Sequence, residues 1–158
     1  VNQQTATAIG EPTATVCHFR TLFPSSRRGA HRVRHAAERW LAEQPQWGCA
    51  GDDATATAGL LIAELTANAA LHGRVRGRQA RLELTLSATT LRIEVTDARG
   101  DRLPEPVRAG DRESGRGLLL VASLADTWGC EPHHPGGKTV WAECAHVRRA
   151  VPGHGADG

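Results

Sequence analysis

The sequence holds no methionine, no tyrosine, two phenylalanines and a single lysine, Lys138, among its basic residues. With so few aromatic rings and a formal charge of +2, the stacking platform of a single-strand nucleic-acid binder is excluded. The basic charge is otherwise arginine, and with the many alanines and glycines this resembles the codon bias of a GC-rich genome and not a binding patch. The four cysteines, Cys17, Cys49, Cys130 and Cys144, form no C-x-x-C pair, so neither a zinc knuckle nor a thioredoxin motif is present. They read as reduced core thiols of a cytoplasmic protein. Cys130 and Cys144 are placed to face each other on paired strands, with a disulfide the less favoured state. No apolar run approaches a membrane span, and the N-terminus lacks the order of a signal peptide.

What is present fits one domain. The 158 residues are 40% hydrophobic and 23% charged, ordinary values for a compact core with a polar surface. Residues 1–14 are aperiodic and read as a disordered arm, 15–145 as a single domain and 146–158 as a flexible tail. Thr15–Phe23 alternates as an edge strand, and Pro24-Ser25-Ser26 ends it with a helix N-cap. Arg27–Gln44 carries Val33, Ala36, Ala37, Trp40 and Leu41 at helical spacing and stops at Pro45. Gln46–Asp53 reads as a loop whose aspartates cap a second helix, Ala54–Leu71. Leu82, Leu84 and Leu86, then Leu91, Ile93 and Val95, alternate with polar residues and predict a hairpin with one buried face. A proline-containing stretch, Arg102–Glu113, precedes a short apolar helix after Gly117. Thr127–Glu131 and Lys138–Cys144 read as two last strands. The order strand, helix, helix, hairpin, loop, helix, hairpin predicts an α+β two-layer sandwich. Its sheet is expected to be mostly antiparallel but mixed, covered on one face by about three helices.

Three short pieces stand at the ends of regular elements. Glu64 and Asn68 are one turn apart on the edge of the second helix, whose apolar face is Leu61, Leu65 and Ala69. A carboxylate and a carboxamide on a half-buried edge are costly unless something uses them, and Mg²⁺ takes such oxygen ligands together with waters and phosphates. Asp97 ends a strand and is followed by Gly100; a carboxylate there accepts a hydrogen bond from an exocyclic amine such as adenine's. Gly115-Arg116-Gly117 opens a helix, where free backbone N–H groups cradle phosphate. Singly, each has a plain structural explanation: a polar stripe with a glycine stop at Gly73, a turn aspartate, a tight start to a buried helix. Together they point to nucleotide chemistry.

In this order the pieces resemble the GHKL ATPases, which include gyrase-type topoisomerases, heat-shock-90 chaperones and histidine kinases. They come nearest to the bacterial anti-sigma factor kinases of the RsbW and SpoIIAB type. Glu64-Leu65-Thr66-Ala67-Asn68-Ala69-Ala70-Leu71-His72-Gly73 resembles the N box, Asp97-Ala98-Arg99-Gly100 a degenerate G1 box, and Glu113-Ser114-Gly115-Arg116-Gly117-Leu118-Leu119-Leu120-Val121 the G2 box. Gly136-Gly137-Lys138-Thr139-Val140-Trp141 resembles the terminal strand that brings a threonine toward the phosphate side. The resemblance implies a Bergerat-type ATP-binding fold. It implies Glu64 as catalytic base, Asn68 as Mg²⁺ ligand, Asp97 as adenine partner, and His72, Gly100, Gly115, Arg116, Gly117, Leu118 and Thr139 around the nucleotide. It further implies ATP and Mg²⁺ as cofactors and transfer of the γ-phosphate to serine or threonine of a STAS-type anti-sigma factor antagonist. A sigma factor is a second implied partner, and homodimerisation is a family habit. The alternative is a catalytically silent regulator of the same fold. In the G1 box Arg99 and Asp101 stand where glycines alternate in the family. The helix from Arg27 is too short and solitary for the phosphoacceptor hairpin of a histidine kinase.

Overall fold

The computed structural model describes residues 15–99, 114–134 and 136–147. The arm, Gly100, the stretch 101–113 and the tail from 148 lie outside the described residues. Within them the order is β1 (Cys17–Pro24), α1 (Arg27–Glu43), a 3₁₀ turn at Pro45–Cys49, α2 (Asp52–His72), β2 (Gln79–Leu86), β3 (Thr90–Asp97), α3 (Ser114–Leu124), β4 (Thr127–His133) and β5 (Gly137–Ala145). The strands form one sheet in the order β1-β2-β3-β5-β4. The expected two-layer α+β sandwich is found, with β1 at an edge. Every pairing among the described strands is antiparallel, so the sheet is not mixed.

The period-two patterns fix which face is covered. Leu82, Leu84 and Leu86 meet Val95, Ile93 and Leu91 across the β2–β3 pair, and all six are buried beneath the helices. On the other face Arg20 and Arg81 reach Glu83 at 3.2 and 2.9 Å, and Arg92 reaches Glu143 and Glu94 at 2.8 and 3.2 Å. Arg92 also lies 4.2 Å from the ring centroid of Trp141. Such pairs are worth little one by one, but they keep the open face polar.

Helix α2 is the centre of the helical layer, against α1, α3 and the sheet. Ala58, Leu61, Ile62, Leu65, Thr66, Ala69 and Ala70 are all buried, which is wider than a single stripe. Its best window has a mean hydropathy of 1.3, so by length and composition α2 is apolar enough to cross a membrane. This corrects the expectation that no segment of the sequence comes near that length. The core helix of a globular protein meets the same criterion, and α2 packs against α1, α3 and the sheet.

The local starts and stops differ from the sequence reading in small ways. Ser26 caps α1 as expected, its Oγ accepting from the Gly29 N–H at 3.0 Å. Helix α2 starts at Asp52 with Gly51 at the cap; Asp52 and Asp53 lie in the first turn, where the helix dipole favours negative charge. The loop after α1 is a 3₁₀ turn that buries Trp47, and the Trp47 ring packs 5.3 Å from His146. His146, which the sequence assigns to the tail, is 3% exposed and its Nε2 lies 2.9 Å from the Ser87 carbonyl. Cys130 pairs with Val140 and Cys144 with Leu91, so the two cysteines do not face each other, and all four thiols are free.

Candidate functional site

Glu64, Asn68 and His72 fall at intervals of four on α2, so they share one edge of the helix, and each is half-buried. From Glu64 to His72 the helix rises by about 12 Å. Other elements meet this edge at two points. At the Glu64 end, the first turn of α3 comes so close that a Cβ added at Gly117 would lie 2.7 Å from the Glu64 Oε2. A side chain at residue 117 would push the carboxylate aside. Beyond the other end of the row, a Cβ at Gly73 would lie 2.4 Å from the Asp97 carboxylate carbon. Gly73 closes α2 at φ −93° and ψ 2°, a conformation open to other residues. It is this contact, and not a left-handed helix stop, that requires glycine there.

Asp97 is 3% exposed, at the end of β3 and on the covered face of the sheet. Its partner across the β3–β5 pair is Lys138. The Lys138 Nζ lies 3.0 Å from Asp97 Oδ2 and 3.3 Å from Oδ1, and it donates to the Arg99 carbonyl at 3.0 Å. The Arg99 N–H donates to Asp97 Oδ1 at 2.9 Å. Behind the pair, a Cβ at Gly137 would meet the Asp97 carbonyl oxygen at 2.1 Å. The Cys130 thiol lies in the field of this pair: burial pushes its pKa up, Lys138 pulls it down, and the carboxylates of Asp97 and Glu131 raise it.

Of the residues singled out from sequence, Glu64, Asn68, His72, Asp97 and Gly117 lie along this line. Gly115 and Arg116 lie in the first turn of α3, before Gly117. Leu118 is 6% exposed and its side chain belongs to the core. Gly100 lies outside the described residues. Thr139 is placed elsewhere: it pairs with Thr96, and their hydroxyls are 2.8 Å apart on the open face of the sheet. Strand alternation turns Lys138 inward and Thr139 outward. Sequence reasoning passed over Lys138, although it leads the inward series Lys138, Val140, Ala142 and Cys144.

Glu64 also borders a groove of about 360 Å³ between α1 and α2. Arg27, His31 and Arg34 line its α1 side, and Ala63, Ala67 and Ala70 line its α2 side. A cavity of about 290 Å³ between β1 and α1 is lined by Leu22, Phe23, Pro24, Val33 and Ala36, and it carries none of the candidate groups.

Among the described residues no three His, Cys, Asp or Glu side chains cluster as a metal cage. The donor set at Glu64 and Asn68 nevertheless suits Mg²⁺, which takes few protein oxygens and completes its shell with water and phosphate. A backbone turn free of side chain at Gly117, facing the Glu64 carboxylate, fits a triphosphate and its cation better than an apolar ligand.

Comparison with known proteins bears on the fold. The family described as "Histidine kinase-like ATPase domain" matches residues 23–144. Among solved structures, the RsbU and RsbW domains of Rv1364c from Mycobacterium tuberculosis superpose with a TM-score of 0.61 at 21% identity. The match covers 85% of this chain and 34% of that one, so the chain spans about a third of that structure. No curated protein matches.

Proposed function

The chain belongs to the histidine kinase-like ATPase domain family, and from that premise we propose that it is an ATP-dependent protein kinase of the anti-sigma factor type. It binds Mg-ATP along the Glu64–Asn68–His72 edge of α2, with the phosphates at the first turn of α3 and the base toward Asp97. It transfers the γ-phosphate to a serine or threonine of a small antagonist protein. The observation that carries this reading is the contact of Gly117 with the Glu64 carboxylate. It brings the Glu64 carboxylate beside a backbone turn suited to phosphate, which supports reading Glu64 as the general base. The likeness to a structure whose name includes an RsbW domain supports the choice of partner class.

Each residue has one task in this scheme. Backbone N–H groups at the start of α3 hold the phosphates, helped by the helix dipole. Asn68 offers its side-chain oxygen to Mg²⁺, which supplies neutralisation of phosphate charge when bound. Glu64 accepts the proton of the acceptor hydroxyl as its oxygen bonds to the γ-phosphorus and the bond to the β–γ bridging oxygen breaks, releasing ADP. A well-placed base contributes a factor of roughly 10²–10⁴ in rate. The arginine-lined groove beside Glu64 supports an approach for an acidic partner.

Calorimetric titration with ATP, with and without Mg²⁺, tests the site on the wild type and on Asn68→Ala. Magnesium-dependent binding in the wild type that is lost in Asn68→Ala is the expected result. Glu64→Ala is expected to keep ATP binding and to lose transfer to the antagonist by at least about 10²-fold. Transfer at the wild-type rate would remove Glu64 from its role. The ion-paired state of Asp97 favours a second reading, in which the chain holds its partner without phosphoryl transfer. Absence of ATP binding at millimolar concentration would select that reading.

A further inference from the structure

Asp97 is the residue that the proposed function turns toward the base, yet its carboxylate already has partners. Lys138 and the Arg99 N–H bond to it, and the Gly73 backbone closes in beside Oδ2. The ammonium group is satisfied as well. It has three protons and faces three acceptor atoms, Asp97 Oδ1, Asp97 Oδ2 and the Arg99 carbonyl. Both side chains are 2% exposed. An exocyclic amine approaching Asp97 is a neutral donor; the one acceptor position left, on Oδ2, lies against Gly73, so the amine would have to displace a charged donor that is already in place. Charge-assisted hydrogen bonds are the stronger kind, and removing one partner of a buried ion pair is strongly unfavourable. The exchange has no driving force.

We propose that Lys138 determines the base specificity of the site by occupying the Asp97 acceptor where a purine's exocyclic amine would bind. The chain then recognises a purine nucleoside triphosphate by its phosphates and ring and is indifferent to the substituent at position 6. This rests on the ATP-binding reading and deepens it. The inward turn of Lys138 at the head of β5, in the register that faces Asp97, is what places the ammonium there. A shorter hydroxyl residue in its place would leave the carboxylate free for the amine.

The test compares ATP with purine riboside triphosphate, which lacks the 6-amino group, by calorimetric titration of the full chain in Mg²⁺. Wild-type protein is expected to bind the two within about twofold. Lys138→Thr is expected to prefer ATP by at least tenfold, the span of one hydrogen bond to a charged group. The ratio is taken within one protein, so a lower folded fraction in the variant cancels. Lys138→Gln, which keeps a donor, is expected to show no such preference. If Lys138→Thr does not fold, the wild-type comparison decides alone. A wild-type preference for ATP of tenfold or more would overturn the proposal and leave the ATP-binding reading standing. An unchanged ratio in folded Lys138→Thr would make Lys138 a packing residue only. Failure of both triphosphates to bind any variant would overturn the proposal and the reading beneath it.

Discussion

An alanine at Gly117 and an alanine at Gly73 meet different neighbours. At Gly117 the added methyl meets the far end of a glutamate, which can swing away. Alanine also favours the helix over glycine by about 0.8–1.0 kcal/mol. Gly117→Ala is therefore expected to hold or slightly raise the melting temperature while phosphoryl transfer falls, because Glu64 has moved. At Gly73 the methyl would lie 2.4 Å from Asp97 Cγ and 2.5 Å from its Cβ, close to the backbone, where little can give. Gly73→Ala is expected to cost about 1–3 kcal/mol, the usual range for overpacking, in a urea unfolding titration. Equal loss of stability in both variants would mean that Glu64 is as fixed as Asp97.

Helix α2 owes its position to burial on several sides. Leu65, next to Glu64 in the chain, is 1% exposed and part of the core. Leu65→Ala removes a buried side chain and leaves a cavity, an expected cost of about 2–5 kcal/mol. Ser26→Ala removes one capping bond at the exposed start of α1 and is expected to cost about 1 kcal/mol. Denaturant midpoints of the two variants check the order. A reversal would mean that α1, and not α2, anchors the helical layer. The same two elements frame the groove beside Glu64, so loosening α2 is expected to weaken nucleotide binding before the chain unfolds globally.

For the whole molecule the cysteines report the integrity of the two layers. Cys49 is exposed; Cys144 is buried between β3 and the helices. Burial, with a smaller contribution from Asp126, pushes the Cys144 thiol up to about 11 from an ordinary 9.0. Alkylation of the native chain is expected to modify Cys49 first and Cys144 only on unfolding. The sign of the pH effect follows. Between pH 9 and 11 the unfolded chain gives up this proton while the folded chain keeps it. Stability from this thiol is therefore complete below pH 9 and falls as pH rises toward 11. Unfolding midpoints at pH 8 and above pH 10 check it. Early alkylation of Cys144 would mean that the core opens locally over β5.

The sequence by itself determined the elements and one edge of the site. Alternating leucines specify the covered sheet face because a strand's side chains repeat every two residues, and the four-residue spacing of Glu64, Asn68 and His72 puts them on one edge because a helix repeats every 3.6. Both are local periodicities, readable without knowing the partners. The match of Gly117 with Glu64 and of Gly73 with Asp97 depends on how α3 and β3 dock on α2, and no local pattern contains a docking distance. The assignment of Thr139 shows the limit most clearly. Motif order brought Gly137, Lys138 and Thr139 to the site together, but the register of β5 on β3 admits alternate residues to each face, and it turned Lys138 toward Asp97 and Thr139 away. The signal was present in a weak form, as the chain's single lysine among arginines, at the head of an otherwise apolar inward series. A lysine in that place has no meaning until a carboxylate stands opposite it. Only the tertiary structure supplies that carboxylate, by inserting β5 between β3 and β4.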